Sequence, residues 1–253
     1  MWLTNIWLLN SSVGRKIIMS VSGVGLALFL LMHSVMNVVV LFSPAGYNVI
    51  CEFLGDSWYA VIATMGLAGL VAVHFMFAFL LTLQNLLARG SNRYAVTTRQ
   101  KGVSWASKNM LILGIIIFGF LVMHLAQFWY RMQFTEVFLK GSEAYQFAAN
   151  GALWIHYYFS QTWVSIVYLI CFVALWFHLT HGVWSGLHSL GLNNKTWLPR
   201  VKMIANAVAT LIVLMFSAIP VYFLLGSVFG FSIVVPCICE VACNVVQCIS
   251  LPL

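Results

Sequence analysis

Trp176-Phe177-His178-Leu179-Thr180-His181-Gly182-Val183-Trp184-Ser185 lies deep in a long apolar run. Imidazole is costly in hydrocarbon, so a buried histidine needs a proton partner or a metal. Gly182 follows His178 at helical spacing, which sets bare backbone on the histidine's own face one turn on. A flat macrocycle ligated by His178 would lie against that bare turn. Three other apolar runs each carry one histidine of this kind: His33, His74 and His124. Four histidines from four spanning helices match the axial positions of two six-coordinate haem irons.

The surrounding composition decides the class. Of 253 residues, 62% are hydrophobic and 7% are charged, against about 25% charged in a soluble domain. Too little polar surface exists for a water-soluble protein. The expectation is an all-α polytopic membrane protein, five helices bundled around two b haems. A net charge of +7 raises nucleic acid as a partner. Its distribution argues against that, because the charges punctuate apolar spans and build no basic patch with interleaved aromatics.

Residues 1–12 read as an amphipathic lead, with Trp2 and Trp7 suited to a membrane interface. The lead meets Arg15-Lys16 and a full-length span, with no small-residue cleavage site, so it does not read as a cleavable signal. Spans are expected at about 13–42, 58–87, 107–131, 161–190 and 203–229. Ser43-Pro44-Ala45-Gly46 turns the chain into a short loop over 43–57, and 132–159 is a longer loop. Residues 230–253 form an apolar, Cys-rich tail with no assigned role. Its Cys237, Cys239, Cys243 and Cys248 fit no zinc or iron–sulfur spacing, and free apolar cysteines are expected there.

Charge sets the orientation. Arg15, Lys16, Arg89, Arg93, Arg99, Lys101, Lys108, Lys195, Arg200 and Lys202 fall on one side of the five spans. Only Arg131 and Lys140 fall on the other, with all five acids, Glu52, Asp56, Glu136, Glu143 and Glu240. The basic side is therefore expected to be cytoplasmic, with the N-terminus inside and the C-terminus outside. Depth then sorts the histidines. Counted from the outer ends, His33 lies roughly 15 Å deep and His124, measured from Arg131, roughly 10 Å. His74 and His178 each lie roughly 25 Å deep. The outer haem is expected on His33 and His124, and the inner haem on His74 and His178. Ala78 follows His74 as Gly182 follows His178, which supports the inner pair.

The other histidines take lesser roles. His181 is the rival ligand, but sits on a neighbouring face and suits a propionate, a water or a neighbouring helix. His188 is near a helix end. His156, in Trp154-Ile155-His156-Tyr157-Tyr158, reads as a membrane-interface residue. Quinone chemistry moves protons, and Glu52, just beyond the outer end of the first span, is the carboxylate best placed to carry them.

These residues resemble a known family, the large single-subunit cytochrome b anchor of succinate dehydrogenase and fumarate reductase, of the five-helix, two-haem type. The resemblance is carried by Ser11-Ser12-Val13-Gly14-Arg15-Lys16, by Leu31-Met32-His33-Ser34-Val35-Met36-Asn37, by Arg93-Tyr94-Ala95-Val96, and most strongly by Phe177-His178-x3-Gly182-x-Trp184-Ser185. It covers about residues 11–228 and selects His178 over His181. It implies two b haems with the four histidines as axial ligands, menaquinone as substrate, and a bacterial cytoplasmic membrane. It also implies cytoplasmic docking to an iron–sulfur subunit that carries a flavoprotein. FAD and the iron–sulfur clusters would then sit on those partners, since this chain holds no dinucleotide fingerprint or ferredoxin-type spacing. The dicarboxylate chemistry would be theirs too. Two alternatives stand beside it: the cytochrome b anchor of a hydrogenase or formate dehydrogenase, whose partners dock from outside, and a small proton-coupled transporter.

Overall fold

The structure, a computed structural model, describes residues 11–89 and 104–230. Among these the regular structure is entirely helical. Five helical runs are long and apolar enough to cross a membrane: Ser12–Leu41, Trp58–Ala88, Met110–Phe138, Thr162–Ser189 and Trp197–Phe229. The shortest has 28 residues, or about 42 Å at the helical rise, against a hydrocarbon core of about 30 Å. The protein is thus an all-α, multi-pass membrane protein. The lead before residue 11, most of the basic loop and the Cys-rich tail lie outside the described residues.

The helices are α1 (Ser12–Val38), α2 (Pro44–Phe53), α3 (Trp58–Arg89), α4 (Trp105–Lys108), α5 (Met110–His124), α6 (Thr135–Phe138), α7 (Tyr145–Ala148), α8 (Gly151–Phe159), α9 (Thr162–Ser189) and α10 (Trp197–Phe229). A short 3-10 turn, Val39–Leu41, continues α1, and a π-helical stretch, Leu125–Phe134, joins α5 to α6 without a break. Local chemistry fixes several ends. The Ser11 hydroxyl accepts from the Gly14 amide at 2.9 Å and caps α1. After α9, Gly191 takes a φ of 110°, and the Leu192 amide returns to the Leu187 carbonyl at 3.1 Å. That wrapped C-terminus needs a residue without a Cβ.

Four expected boundaries change. The 43–57 segment is no simple loop, because Ser43-Pro44 starts α2. Ser43 is extended and accepts from the Gly46 amide at 3.0 Å, and Pro44 opens the helix. A cap followed by a first-turn proline is a helix start, and it shares its residue types with a turn. The 132–159 segment is largely helical too, with Asn150 capping α8 by accepting from the Leu153 amide at 3.0 Å. The third span does not stop at Arg131 but runs to Phe138. The Arg131 guanidinium rests over the Tyr130 and Trp154 rings, 6.0 Å and 5.8 Å from their centres, so its charge is accommodated along the helix. His124 therefore stands further from its helix end than Arg131 implies, which removes the depth cue that matched it with His33. The fifth span begins at Trp197, six residues early, because Asn194 accepts from the Trp197 amide at 2.7 Å. Arg200 and Lys202 thus sit inside its first turns.

The chain divides into two compact units. The first comprises Met1–Ser34, Val61–Leu121 and Cys171–Leu214. Its described charges are all basic: Arg15, Lys16, Arg89, Lys108, Lys195, Arg200 and Lys202. The second comprises Val35–Ala60, Val122–Ile170 and Met215–Leu253, and holds every described acid, Glu52, Asp56, Glu136 and Glu143. In the second unit Asn48 stitches α2 to α8. Its amide donates to Asn150 Oδ1 at 3.0 Å, and its carbonyl oxygen accepts from the Ala152 amide at 2.9 Å.

Candidate functional site

In the first unit, α1, α3 and α9 bring His74 and His178 together. Their ring centres are 6.4 Å apart, with planes at 66°. One metal between two imidazoles, each bond about 2 Å, sets the ring centres roughly 6 Å apart. The pair therefore has the spacing of two axial ligands. Its approach depends on small residues of α1. A Cβ on Gly23 would stand 3.1 Å from His74 Cε1, and one on Gly25 would stand 2.9 Å from Leu70 Cδ2. A side chain at Gly23 would press on the His74 ring itself, whereas at Gly25 the flexible end of Leu70 would have to move.

Ser22 fixes the chemistry of His74. Its hydroxyl donates to the Met19 carbonyl at 3.0 Å and lies 3.2 Å from His74 Nδ1. The hydroxyl and the Met19 carbonyl thus hold the Nδ1 side of the ring, and Nε2 is the other ring nitrogen that could meet a metal. Such a partner fixes tautomer and ring orientation in metal sites.

The facing side is unfinished in protein terms. His178 Nδ1 is buried and has no hydrogen-bond partner among the described residues. An orphaned buried nitrogen costs about 1–3 kcal/mol. A Cβ built on Gly182 meets nothing within 4 Å, so the turn beyond His178 is open. The spacing of the two rings and the bare turn beyond His178 fit a haem held by His74 and His178.

His181 takes a different place. Its ring stands edge-on to Trp184, with centres 5.2 Å apart, and Trp184 carries Lys202 Nζ over its face at 4.3 Å. Its Nδ1 is also buried without a partner among the described residues. His188 stands edge-on to Trp184 at 6.4 Å.

His33 belongs to the first unit and His124 to the second. The His33 ring stacks on Phe29, with centres 5.2 Å apart. His124 lies against Phe128 at 5.2 Å, and its Nδ1 is 3.4 Å from the Tyr168 hydroxyl. Tyr168 donates its proton to Gln127 Oε1 at 2.6 Å. His156, on α8, packs edge-on against Phe223 at 5.7 Å, and burial lowers its pKa.

The acids of the second unit differ sharply. Glu52, at the end of α2, is exposed. Asp56 forms an exposed ion pair with Lys140 at 2.7 Å, which holds the Asp56 carboxyl below its ordinary range. Glu136 is only 8% exposed, and its carboxylate lies against Gly55. The sequence reading left Glu136 in a loop without position, and gave Ser22, Gly23, Tyr168 and Gln127 no role. For Glu136 the signal was the continuous apolar register past Arg131. For Ser22 and Tyr168 no local signal exists, because their partners are distant in sequence.

The fold and the site define the class: a multi-pass helical membrane protein with a paired intramembrane histidine centre. No family model, curated protein or solved structure matches the chain.

Proposed function

We propose that the protein is a dihaem cytochrome b subunit that anchors a succinate dehydrogenase or fumarate reductase complex and passes electrons between its iron–sulfur subunit and membrane menaquinone. The observation that carries the reading is the His74–His178 pair, with the Ser22 hydroxyl 3.2 Å from His74 Nδ1. Haem b, when bound, supplies a one-electron carrier tuned by its axial ligands and their hydrogen bonds. This chain's residues do the rest. His74 and His178 hold the inner group, and His33 and His124 are the remaining candidates for the outer one. Ser22 and Tyr168 orient His74 and His124. The apolar helices exclude water. Glu52 holds a proton for quinone at the rim of the second unit.

The separation of charge supports the orientation: described basic residues without acids in one unit, described acids in the other. The basic unit then faces a bacterial cytoplasm and receives the iron–sulfur subunit, which carries the flavoprotein. The test is a reduced-minus-oxidised visible spectrum of the purified chain, with pyridine haemochrome. The expected result is b-type bands at about two haems per chain, one for each pair of bis-histidine positions. A preparation without haem bands sinks the reading. Co-purified flavoprotein and iron–sulfur subunits separate this anchor from that of a hydrogenase or formate dehydrogenase.

A further inference from the structure

Where α9 ends and α10 begins, the first unit holds a lysine on a tryptophan. Two rungs set these helices side by side. Trp176 Nε1 donates to Thr210 Oγ1 at 3.0 Å, and Lys202 Nζ lies 4.3 Å from the Trp184 ring centre. The rungs run in opposite chain directions with equal spacing, so the packing of α10 on α9 keeps Lys202 at Trp184. The ring attracts the ammonium but does not neutralise it, and no described residue of this unit is acidic. Lys202 is exposed. Its neighbours Met203 and Ile204 are 66% and 57% exposed. Large apolar side chains exposed on a membrane span face lipid. Depth adds to this. The span has 33 residues, about 50 Å, against a hydrocarbon core of about 30 Å. Centred, it leaves about 10 Å beyond the hydrocarbon at each end, or roughly six residues. Lys202 stands at that edge, because the span starts at Trp197. Asn206 follows one turn inward, about 6 Å deeper, and is also exposed. Further in, the exposed side chains include Leu211 and Leu214.

We infer that Lys202, Trp184 and Asn206 seat an anionic phospholipid on the lipid-facing side of the first unit. The groups along α10 follow the order of groups along such a lipid. The ammonium comes first, at the level of the phosphate, which the flexible lysine stem lets it reach. Trp184 beside it is the residue type that settles at the headgroup boundary. The Asn206 amide comes next, at the level of the ester carbonyls. An amide facing hydrocarbon is costly without a hydrogen bond, and an ester carbonyl accepts one from its NH2 group. Leu211 and Leu214 then lie along the acyl chains. Charge selects the headgroup. A lysine without acids in its unit attracts a net negative headgroup, whereas a zwitterionic headgroup brings a cation of its own. A soluble subunit does not fit this seat, because it meets the ends of spans, and Asn206 and the leucines lie deeper than that. The seat requires neither haem nor quinone.

The test is native mass spectrometry of the full chain in detergent, titrated with phosphatidylglycerol or phosphatidylcholine of identical acyl chains. The wild type should bind its first phosphatidylglycerol about fivefold more tightly than phosphatidylcholine, the scale of one lysine at a membrane surface. Lys202→Gln should bring that ratio close to one, and Lys202→Arg should keep it. Asn206→Leu should weaken binding of diester phosphatidylglycerol by about fivefold, the scale of one hydrogen bond. The same variant should bind diether phosphatidylglycerol, which has no ester carbonyls, as the wild type does. Equal wild-type affinity for the two headgroups overturns the seat, and so does a preference that Lys202→Gln retains. Should Lys202→Gln fail to fold, wild-type binding of the diester lipid by Asn206→Leu overturns it equally.

Discussion

The surroundings of His74 and His124 solve one problem with different means. In each, a hydroxyl that also bonds a second acceptor lies beside the histidine's Nδ1. At His74 the hydroxyl belongs to Ser22, anchored on its own helix and brought in by glycine at position 23. The ring is held by backbone proximity. At His124 the hydroxyl belongs to Tyr168, and Gln127 holds it by a side-chain bond at 2.6 Å. The contact to the ring is longer, 3.4 Å against 3.2 Å. One setting is tight and lies in a unit without acids; the other is built on long side chains in the unit that holds them. A hydroxyl beside a histidine is thus common to both units, while the described acids lie in the second.

The largest expected effect breaks the first setting outright. His178→Ala should remove one haem per chain, while His181→Ala should retain both, because only His178 faces His74. The measurement is pyridine haemochrome with the split of the reduced b band. Retention of both haems in His178→Ala, with loss in His181→Ala, would assign the ligand to the histidine beside Trp184.

Five apolar runs were legible because hydrocarbon demands them. The pairing of His74 with His178 was legible because both stand far from the charged ends. The failures share a cause. Ser43-Pro44-Ala45-Gly46 contains the residues of a turn and of a helix start, and only the hydrogen bond from Gly46 to Ser43 decides between them. Arg131 reads as a helix end, but the Tyr130 and Trp154 rings absorb its charge. Once that end is misplaced, His124 is counted from the wrong helix end and Glu136 falls into a loop. Ser22 has no periodic signature, because its meaning depends on a histidine 52 residues away.

A smaller effect tests whether the two settings differ in tightness. Ser22→Ala removes the hydroxyl 3.2 Å from His74 Nδ1 and should weaken haem retention by about 10–100-fold, the usual cost of an outer-shell partner. Gly23→Ala should act in the same direction, since the ring must shift away from a Cβ at 3.1 Å. Tyr168→Phe should cost less, because its contact to His124 is longer and Gln127 remains beside the site. Haem loss under a competing apo-globin gives the ranking. A larger loss in Tyr168→Phe than in Ser22→Ala would reverse the comparison.

The smallest effect concerns Cys51, and it probes the acid side without touching a ligand. Burial raises the thiol to about 11, the Glu136 charge adds to the rise, and the bonds to Tyr47 and Gly151 oppose it. A raised thiol pKa lowers the thiolate fraction at a fixed pH, and only thiolate reacts with an alkylating reagent. At pH 9 a thiol at its ordinary 9.0 is half ionised, whereas one near 11 is ionised to about one part in a hundred. Alkylation of Cys51, followed by mass spectrometry of its peptide, should therefore run about fiftyfold slower in the folded protein than in the denatured chain. Glu136→Gln removes a negative charge that opposes ionisation, so labelling of the folded variant should be faster than in the wild type. Asp56→Asn, whose charge Lys140 already offsets at 2.7 Å, should leave the rate nearly unchanged. Equal rates in wild type and Glu136→Gln would mean that the buried carboxylate and the thiol do not sense each other.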